Sequence, residues 1–388
     1  MVKPAFLIVF LCLLSCALIS PAACADVSEL RQVGWAFIKD VLMLDLTKYN
    51  VSVWTLEAPV TFGAPSEWID VTYKLSGAES DVTVDLLFKD GRLAICSIYF
   101  EQGPPLVIGG VPCSPIEWAG VLMERYWYAF GKDYVKQMLD MLSNIRMEDL
   151  GNVKASDFYP SYSAAYESRK ELKGIIKTIG NVKMSIVIEP NNYYPELNTT
   201  YIEFKYVENG VVFRQKEVSF TFSPTNMHFV DQWDIYRVGS SMLKVSTEEE
   251  AVRVAREAVR DLTYVSDGKP VGNLRVLEKP LYVYLDTDYR GGDIYTLYPY
   301  WEVYLCLDKV YPAGVTGIRV FIWADTGEVF KRELSGGYGG GGEPAPPTQE
   351  TNPQTNQQAI IISITTAVIL TATATITIKR RLKHKTTK

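Results

Sequence analysis

The twenty residues from Ala359 to Ile378 carry no charge, no Pro and no Gly. They read AIIISITTAVILTATATITI, and the basic run KRRLKHKTTK follows at once as residues 379–388. At about 1.5 Å rise per residue, such a stretch matches the roughly 30 Å hydrocarbon core of a bilayer. Its threonines do not spoil the match, because a helical Thr hydroxyl bonds the carbonyl four residues back. A basic flank marks the cytoplasmic side. The sequence therefore predicts one transmembrane helix at 359–378, in contact with membrane lipid. Residues 379–388 form a cytoplasmic tail, and everything earlier lies outside.

The other end agrees with that orientation. Residues 1–25 have a positive Lys3, an apolar run too short to span a bilayer, and the small-x-small pattern Ala23-Cys24-Ala25. That is the build of a signal peptide, leaving Asp26 as the first mature residue. A lipoprotein signal at Leu13-Leu14-Ser15-Cys16 ranks second, because a C-terminal anchor makes a lipid redundant. The formal net charge is −6, although Lys3 and the tail cations are all positive. The segment between is more acidic still, which argues against a nucleic-acid partner.

Residues 335–358, SGGYGGGGEPAPPTQETNPQTNQQ, lack apolar periodicity and read as a stalk. The folded part is then 26–334, ample for a large core. Periodicity divides it into three units, at 26–150, 151–240 and 241–334. In the first, Leu30, Val33, Phe37, Val41 and Leu44 recur at helical spacing, and four alternating strands follow up to residue 100. Ser114-Pro115-Ile116-Glu117 starts a second helix, with Gly131 as its weak point. The middle unit reads as a helix at 161–179 followed by strands, with Glu208-Asn209-Gly210 as a hairpin turn. The last unit has a helix from Ser246 to about Leu262, with Ala251, Ala255 and Ala258 on its inner stripe, and four strands behind it. The predicted fold class is α+β: repeated units of a helix packed on an antiparallel sheet, plus the transmembrane helix.

The helix STEEEAVRVAREAV, the strands YWEVYLCL and GIRVFIWA, and the turn Asp325-Thr326-Gly327-Glu328-Val329 resemble a PepSY-type domain. The resemblance covers about 246–334. It departs from the family at Trp323, where the family usually has Asp, and in the longer stretch around 286–293. Such domains occur in propeptides of secreted peptidases and in envelope proteins. The resemblance implies binding or restraint of a partner rather than catalysis. The whole build also resembles archaeal membrane-anchored surface proteins.

Chemistry-bearing motifs are few. Asp325-Thr326-Gly327 invites comparison with an aspartic protease, but that chemistry needs two carboxylates sharing a proton and no second such motif occurs. It reads as a turn, in which Asn would replace Asp325 at little cost. Asp286, Asp288 and Asp293 have the alternate spacing of a calcium loop, with Gly291 for the sharp turn. Arg290 and Leu297 stand where two further ligands belong, so an acidic hairpin is the plainer reading. His228 is the single histidine of the ectodomain, and no Gly-x-Ser-x-Gly, Walker or Rossmann motif occurs. No catalytic residue and no cofactor is assigned.

After the signal, Cys96, Cys113 and Cys306 remain. Cys96 and Cys113 are the candidate disulfide, a strand and a loop short enough to return in an oxidising location. Asn50 and Asn198 head glycosylation sequons. Tyr289, Tyr295, Tyr298, Tyr300, Trp301 and Tyr304 cluster; exposed, they would stack on sugars, and otherwise they pack on strand faces.

The expectation is a cell-surface binding or scaffolding module without catalysis, whose partner is an envelope protein or glycan. The alternatives are an envelope hydrolase or peptidase-related protein, and a glycan-binding adhesin. The hydrolase requires a cleft where two acidic groups of perturbed pKa converge.

Overall fold

Strict alternation of apolar and polar residues sets the architecture. A computed structural model of the chain describes residues 26–57, 68–110, 114–158, 171–190 and 198–336. In Trp68–Ser76 (β2) and Asp81–Lys89 (β3) every second side chain is buried. A strand with that pattern can cover a core on one side only. Flanking them are Asn50–Glu57 (β1) and Arg92–Gln102 (β4). The next strands are Gly151–Lys154 (β5), Glu171–Ile179 (β6), Val182–Glu189 (β7), Thr199–Glu208 (β8), Val211–Phe222 (β9) and Asn226–Asp231 (β10). All ten join one antiparallel sheet in the order β1-β2-β3-β4-β10-β9-β8-β7-β6-β5.

Three helices cover one face of this sheet. Val27–Ala36 (α1) starts at Asp26, whose carboxylate accepts from the Ser28 N–H at 3.0 Å, and runs on through a wider turn at Phe37–Val41. Pro115–Phe130 (α2) has Ser114 as its cap and Pro at its first turn. Gly131, at φ 63°, ends it, and Asp133–Leu142 (α3) follows. Together α1, α2 and α3 bury Leu30, Phe37, Ile38, Leu122, Met123 and Met138 against Val71, Val84, Leu86, Met184, Ile202 and Phe220. Asp231 pins this layer: it is 4% exposed and accepts from the Tyr126 and Tyr134 hydroxyls, each at 2.6 Å.

The rest of the chain forms a second layer pair. Glu248–Val259 (α4), capped by Thr247, packs on a five-stranded sheet. Its strands are Arg237–Val238 (β11), Tyr282–Arg290 (β14), Asp293–Tyr311 (β15), Val315–Trp323 (β16) and Val329–Gly336 (β17). The short hairpin Tyr264–Ser266 (β12) and Lys269–Val271 (β13) stands apart. Trp301, Val303, Leu305, Ile318, Val320 and Ile322 face α4. Tyr282, Tyr284, Tyr300, Glu302, Tyr304 and Arg319 alternate with them and take the opposite face.

This architecture corrects the expected fold class. The expected series of small helix-on-sheet units does not occur: residues of the first two expected units share one continuous ten-stranded sheet, and antiparallel strands dominate the molecule. The join is β10, which pairs with β4 on one side and β9 on the other. The expected helix at 161–179 is also overturned over its described part, since 171–179 is strand β6. Ile175, Ile176, Thr178 and Ile179 are β-branched, and Gly180 closes a tight turn into β7 at φ 56°. Among the described residues no helix is long and apolar enough to cross a membrane. The signal at 1–25, most of the stalk, the span at 359–378 and the tail lie outside the described residues.

Candidate functional site

The two sheets meet along β9 and β14. Small apolar contacts open the junction: Val211, Phe213 and Leu297 are buried there, beside Tyr206, Tyr236 and Leu285. Strand β9 then carries three extra residues. Lys205 pairs with Glu217 and Tyr206 pairs with Phe213, so Arg214, Gln215 and Lys216 have no opposite number on β8. A bulge of this kind re-aims side chains. Gln215 uses it to reach β14: its Nε2 donates to the Thr287 carbonyl at 2.7 Å, and its Oε1 accepts from the Thr287 hydroxyl at 2.7 Å. Lys216 donates to the Trp233 carbonyl and, at 2.9 Å, to the Tyr236 carbonyl.

Beside these bonds lies a cleft of about 280 Å³, lined by Glu203 and Lys205 of β8, Arg214, Gln215 and Glu217 of β9, Gln232, and Asp286 of β14. The ions pair unequally. Lys205 donates to Glu203, and its Nζ stands 3.9 Å from the Glu217 Oε2. The Arg214 Nε is 3.4 Å from the Asp286 Oδ1. Burial pushes the Glu217 carboxyl up to about 7, against the pull of Lys205 and Arg214. Burial also raises Asp286, again opposed by Arg214. Two acidic groups with raised pKa thus share one cleft. They do not share a proton, because cations stand beside both and Arg214 bears on each.

The residues singled out in the sequence are scattered. Asp286 is in the cleft. Asp288, two residues on, accepts from the Tyr289 N–H. Asp293 lies past the Gly291 turn, 2.8 Å from Arg237 Nη2, and also accepts from the Thr296 hydroxyl and the Tyr295 N–H. The calcium-loop segment is a β-hairpin, not a loop, and the three aspartates take separate partners. Cys96 is fully buried, with its thiol pushed well above the usual range; Cys113 lies outside the described residues. Asn50 and Asn198 are exposed. Asp325 does more than shape its turn. Arg290 grips it with both arms, at 3.1 and 2.9 Å, and the same guanidinium lies 4.0 Å from the Tyr298 ring centre.

The aromatic cluster is split by strand alternation. Trp301 faces α4 and donates to the Val245 carbonyl at 2.8 Å. Tyr295 turns to the junction, where it packs against Lys89 and bonds Asp90. Tyr300 lies on the face away from α4, edge-on to Trp323 and Phe330. Tyr282 and Tyr284 both donate to Glu302, at 2.6 and 2.5 Å. No flat platform of the kind that stacks on sugars results among these residues.

His228 also has a definite place. Its Nδ1 is 2.9 Å from the Ser97 hydroxyl on the open face of the large sheet. The cross-strand row there runs Asp85, Ser97, His228, so the serine stands between the acid and the base. In a hydrolase triad the histidine stands between them. The backbone N–H groups around Ser97 are committed to neighbouring strands and offer no oxyanion hole.

Glu203, Lys205, Arg214 and Glu217 were not marked by the sequence reading. Their signal is the polar stretch Arg214-Gln215-Lys216-Glu217 inside an otherwise apolar strand, which alternation alone assigns to solvent.

No family model matches the chain, and no curated protein does. Among solved structures, the Bacillus megaterium YpeB C-terminal domain is similar over 80% of this chain and 97% of that one. The identity is 13% and the TM-score 0.28, too low to carry an argument about function. Nothing in the comparisons supports the archaeal resemblance.

Proposed function

We propose that the chain is a non-catalytic binding or scaffolding module of the cell envelope, working at the cell surface, with the cleft between its two sheets as the binding site. The observation that carries this reading is the pairing inside the cleft. Charged side chains from both sheets converge on a cavity, and each carboxylate has a cation beside it. Such a lining binds charge well and transfers protons poorly. The PepSY-type resemblance of 246–334 points the same way, toward holding an envelope partner.

The alternative of an envelope hydrolase has one observation in its favour: Glu217, poised at about 7, shares the cleft with Asp286, whose carboxyl is also raised. A general acid needs that value. The test is to incubate the purified ectodomain with broad peptidase, esterase and glycosidase substrates, alongside Glu217→Gln. The expected result is no turnover by either. Turnover that disappears in Glu217→Gln at unchanged melting temperature would falsify the binding reading. The adhesin alternative predicts retention on polysaccharide columns, which the split aromatic cluster gives no reason to expect.

A further inference from the structure

We propose that the cleft lined by Glu203, Lys205, Arg214, Glu217 and Asp286 selects a cationic group, a primary amine or a guanidinium, which seats against Glu217. The inference rests on the reading of this cleft as a binding site and names the ligand class.

The charge count comes first. Three carboxylates, Glu203, Glu217 and Asp286, face two cations, Lys205 and Arg214. Lys205 is taken by Glu203 and Arg214 by Asp286. Glu217 has the loosest pairing: its nearest cation is the Lys205 already held by Glu203, 3.9 Å away, and its carboxylate has no hydrogen bond among the described residues. A carboxylate in that position is partly buried and only loosely paired, so a further cation can approach it. It answers by keeping its proton to about pH 7, and a bound cation would stabilise the ionised form instead.

Size comes second. At about 280 Å³ the cleft falls just below the roughly 300–1,000 Å³ of pockets for drug-sized molecules. It suits the end of one long side chain or a small amine. Gln215 is already held by Thr287, which leaves Gln232 as a neutral group in the lining.

The groups facing Glu217 are Glu203 and Lys205 from β8 and Arg214 from its own strand, with the Tyr236 phenol also within its field. Of the cleft carboxyls, Glu217 is the one raised to about 7, so the proton released on binding is assigned to it. Affinity for a cation should therefore climb roughly tenfold between about pH 6 and about pH 8, following the ionised fraction of Glu217.

The test uses amide NMR on the ectodomain with three probes of matched length: putrescine, butanediol and succinate. Two blocked tripeptides, Gly-Lys-Gly and Gly-Gln-Gly, separate a free amine from a peptide side chain as the source. The expected result is that putrescine or the lysine peptide shifts resonances of β8, β9 and β14, with the rise in affinity just described. Glu217→Gln should weaken that binding at least tenfold and remove its pH dependence. Succinate shifting the same strands would overturn the cation preference while leaving a binding cleft in place. No shift from any probe at millimolar concentration overturns the inference, and the turnover assay above remains the separate check on the non-catalytic reading. Should Glu217→Gln fail to fold, the pH profile of the unaltered protein decides by itself: affinity that stays flat through pH 7 overturns the inference.

Discussion

Asp325 and Asp70 show what a sequence conceals about two residues of one type. Asp325 lies in a turn, and its neighbours Thr326 and Gly327 reveal that much. Its ion pair does not show, because Arg290 is 35 residues away and arrives only when β14 and β16 lie near each other in one sheet. The expectation that Asn is nearly harmless there therefore fails on physical grounds: Asn cannot accept both arms of a guanidinium. Asp70 is the opposite case. It sits on the open face of β2, its Oδ1 is buried with no hydrogen-bond partner among the described residues, and Asp85 repels it. Burial, and then Asp85, push its carboxyl from 3.8 up to about 6. The sign follows from proton binding. The folded state holds this proton more tightly, so the contribution is complete below the ordinary carboxylate range and is lost as pH rises through about 6. Asp70→Asn, which carries no charge to strand, should then be the more stable protein at neutral pH, by about 1 kcal/mol after allowing for solvent near the carboxylate. Urea titrations of both proteins at acid and neutral pH check this. A gap that does not widen between the two would show that Asp70 is already solvated in the folded state.

At the scale of elements, most strands and the starts of α1, α2 and α4 were readable, because one buried face imposes a period and caps mark the ends; α3, which has no side-chain cap, was not read as a separate start. The segment 171–179 was not readable as a strand, since its apolar residues satisfy a helical spacing as well as an alternating one. The deciding contact, pairing with β7, is made only after Gly180 turns the chain. Helix α1 shows how closely an element is fitted once placed. A Cβ added at Gly34 would lie 2.7 Å from the Leu86 side chain and 2.7 Å from the Tyr73 hydroxyl. That hydroxyl donates to the Arg31 carbonyl at 2.5 Å, so it cannot swing away without losing a bond. Two effects of Gly34→Ala oppose each other. Helix propensity gains about 1 kcal/mol, while forcing a methyl into a filled core costs about 1–3 kcal/mol and here also strains the Tyr73 bond. The clash should win, lowering the denaturation midpoint. A variant equal to or more stable than the parent would mean that α1 rides further from β2 than described.

At the scale of the molecule, the one non-sequential pairing of the large sheet, β4 with β10, could not be read. β10 follows β9 through a short turn, but nothing local tells it to pair with β4 as well, because pairing between strands more than a hundred residues apart leaves no periodic trace. The same holds for the junction, which joins two separate cores through few buried apolar residues. Lys89 is central to it. It ends β3 on the first sheet, is 4% exposed, and its ammonium stands 4.9 Å from the ring centres of Trp68, Tyr236 and Tyr295. Its Nζ also donates to the Tyr236 hydroxyl at 3.2 Å. Tyr236 leads into the second sheet and Tyr295 belongs to it, so one cation fastens both layers. Each desolvated cation–ring contact contributes on the order of 1–2 kcal/mol, against the cost of burying the ammonium. Lys89→Ala removes the contacts and leaves a gap between three rings. Lys89→Met keeps the stem and removes the charge, so it separates packing from attraction. The expected outcome is that Lys89→Ala uncouples the halves. Intrinsic tryptophan fluorescence and calorimetry should then report two transitions where the parent shows one, with the five-stranded sheet melting first. Lys89→Met should fall between. Coincident transitions in all three proteins would show that the cleft pairs Arg214–Asp286 and Gln215–Thr287 hold the two sheets together without Lys89.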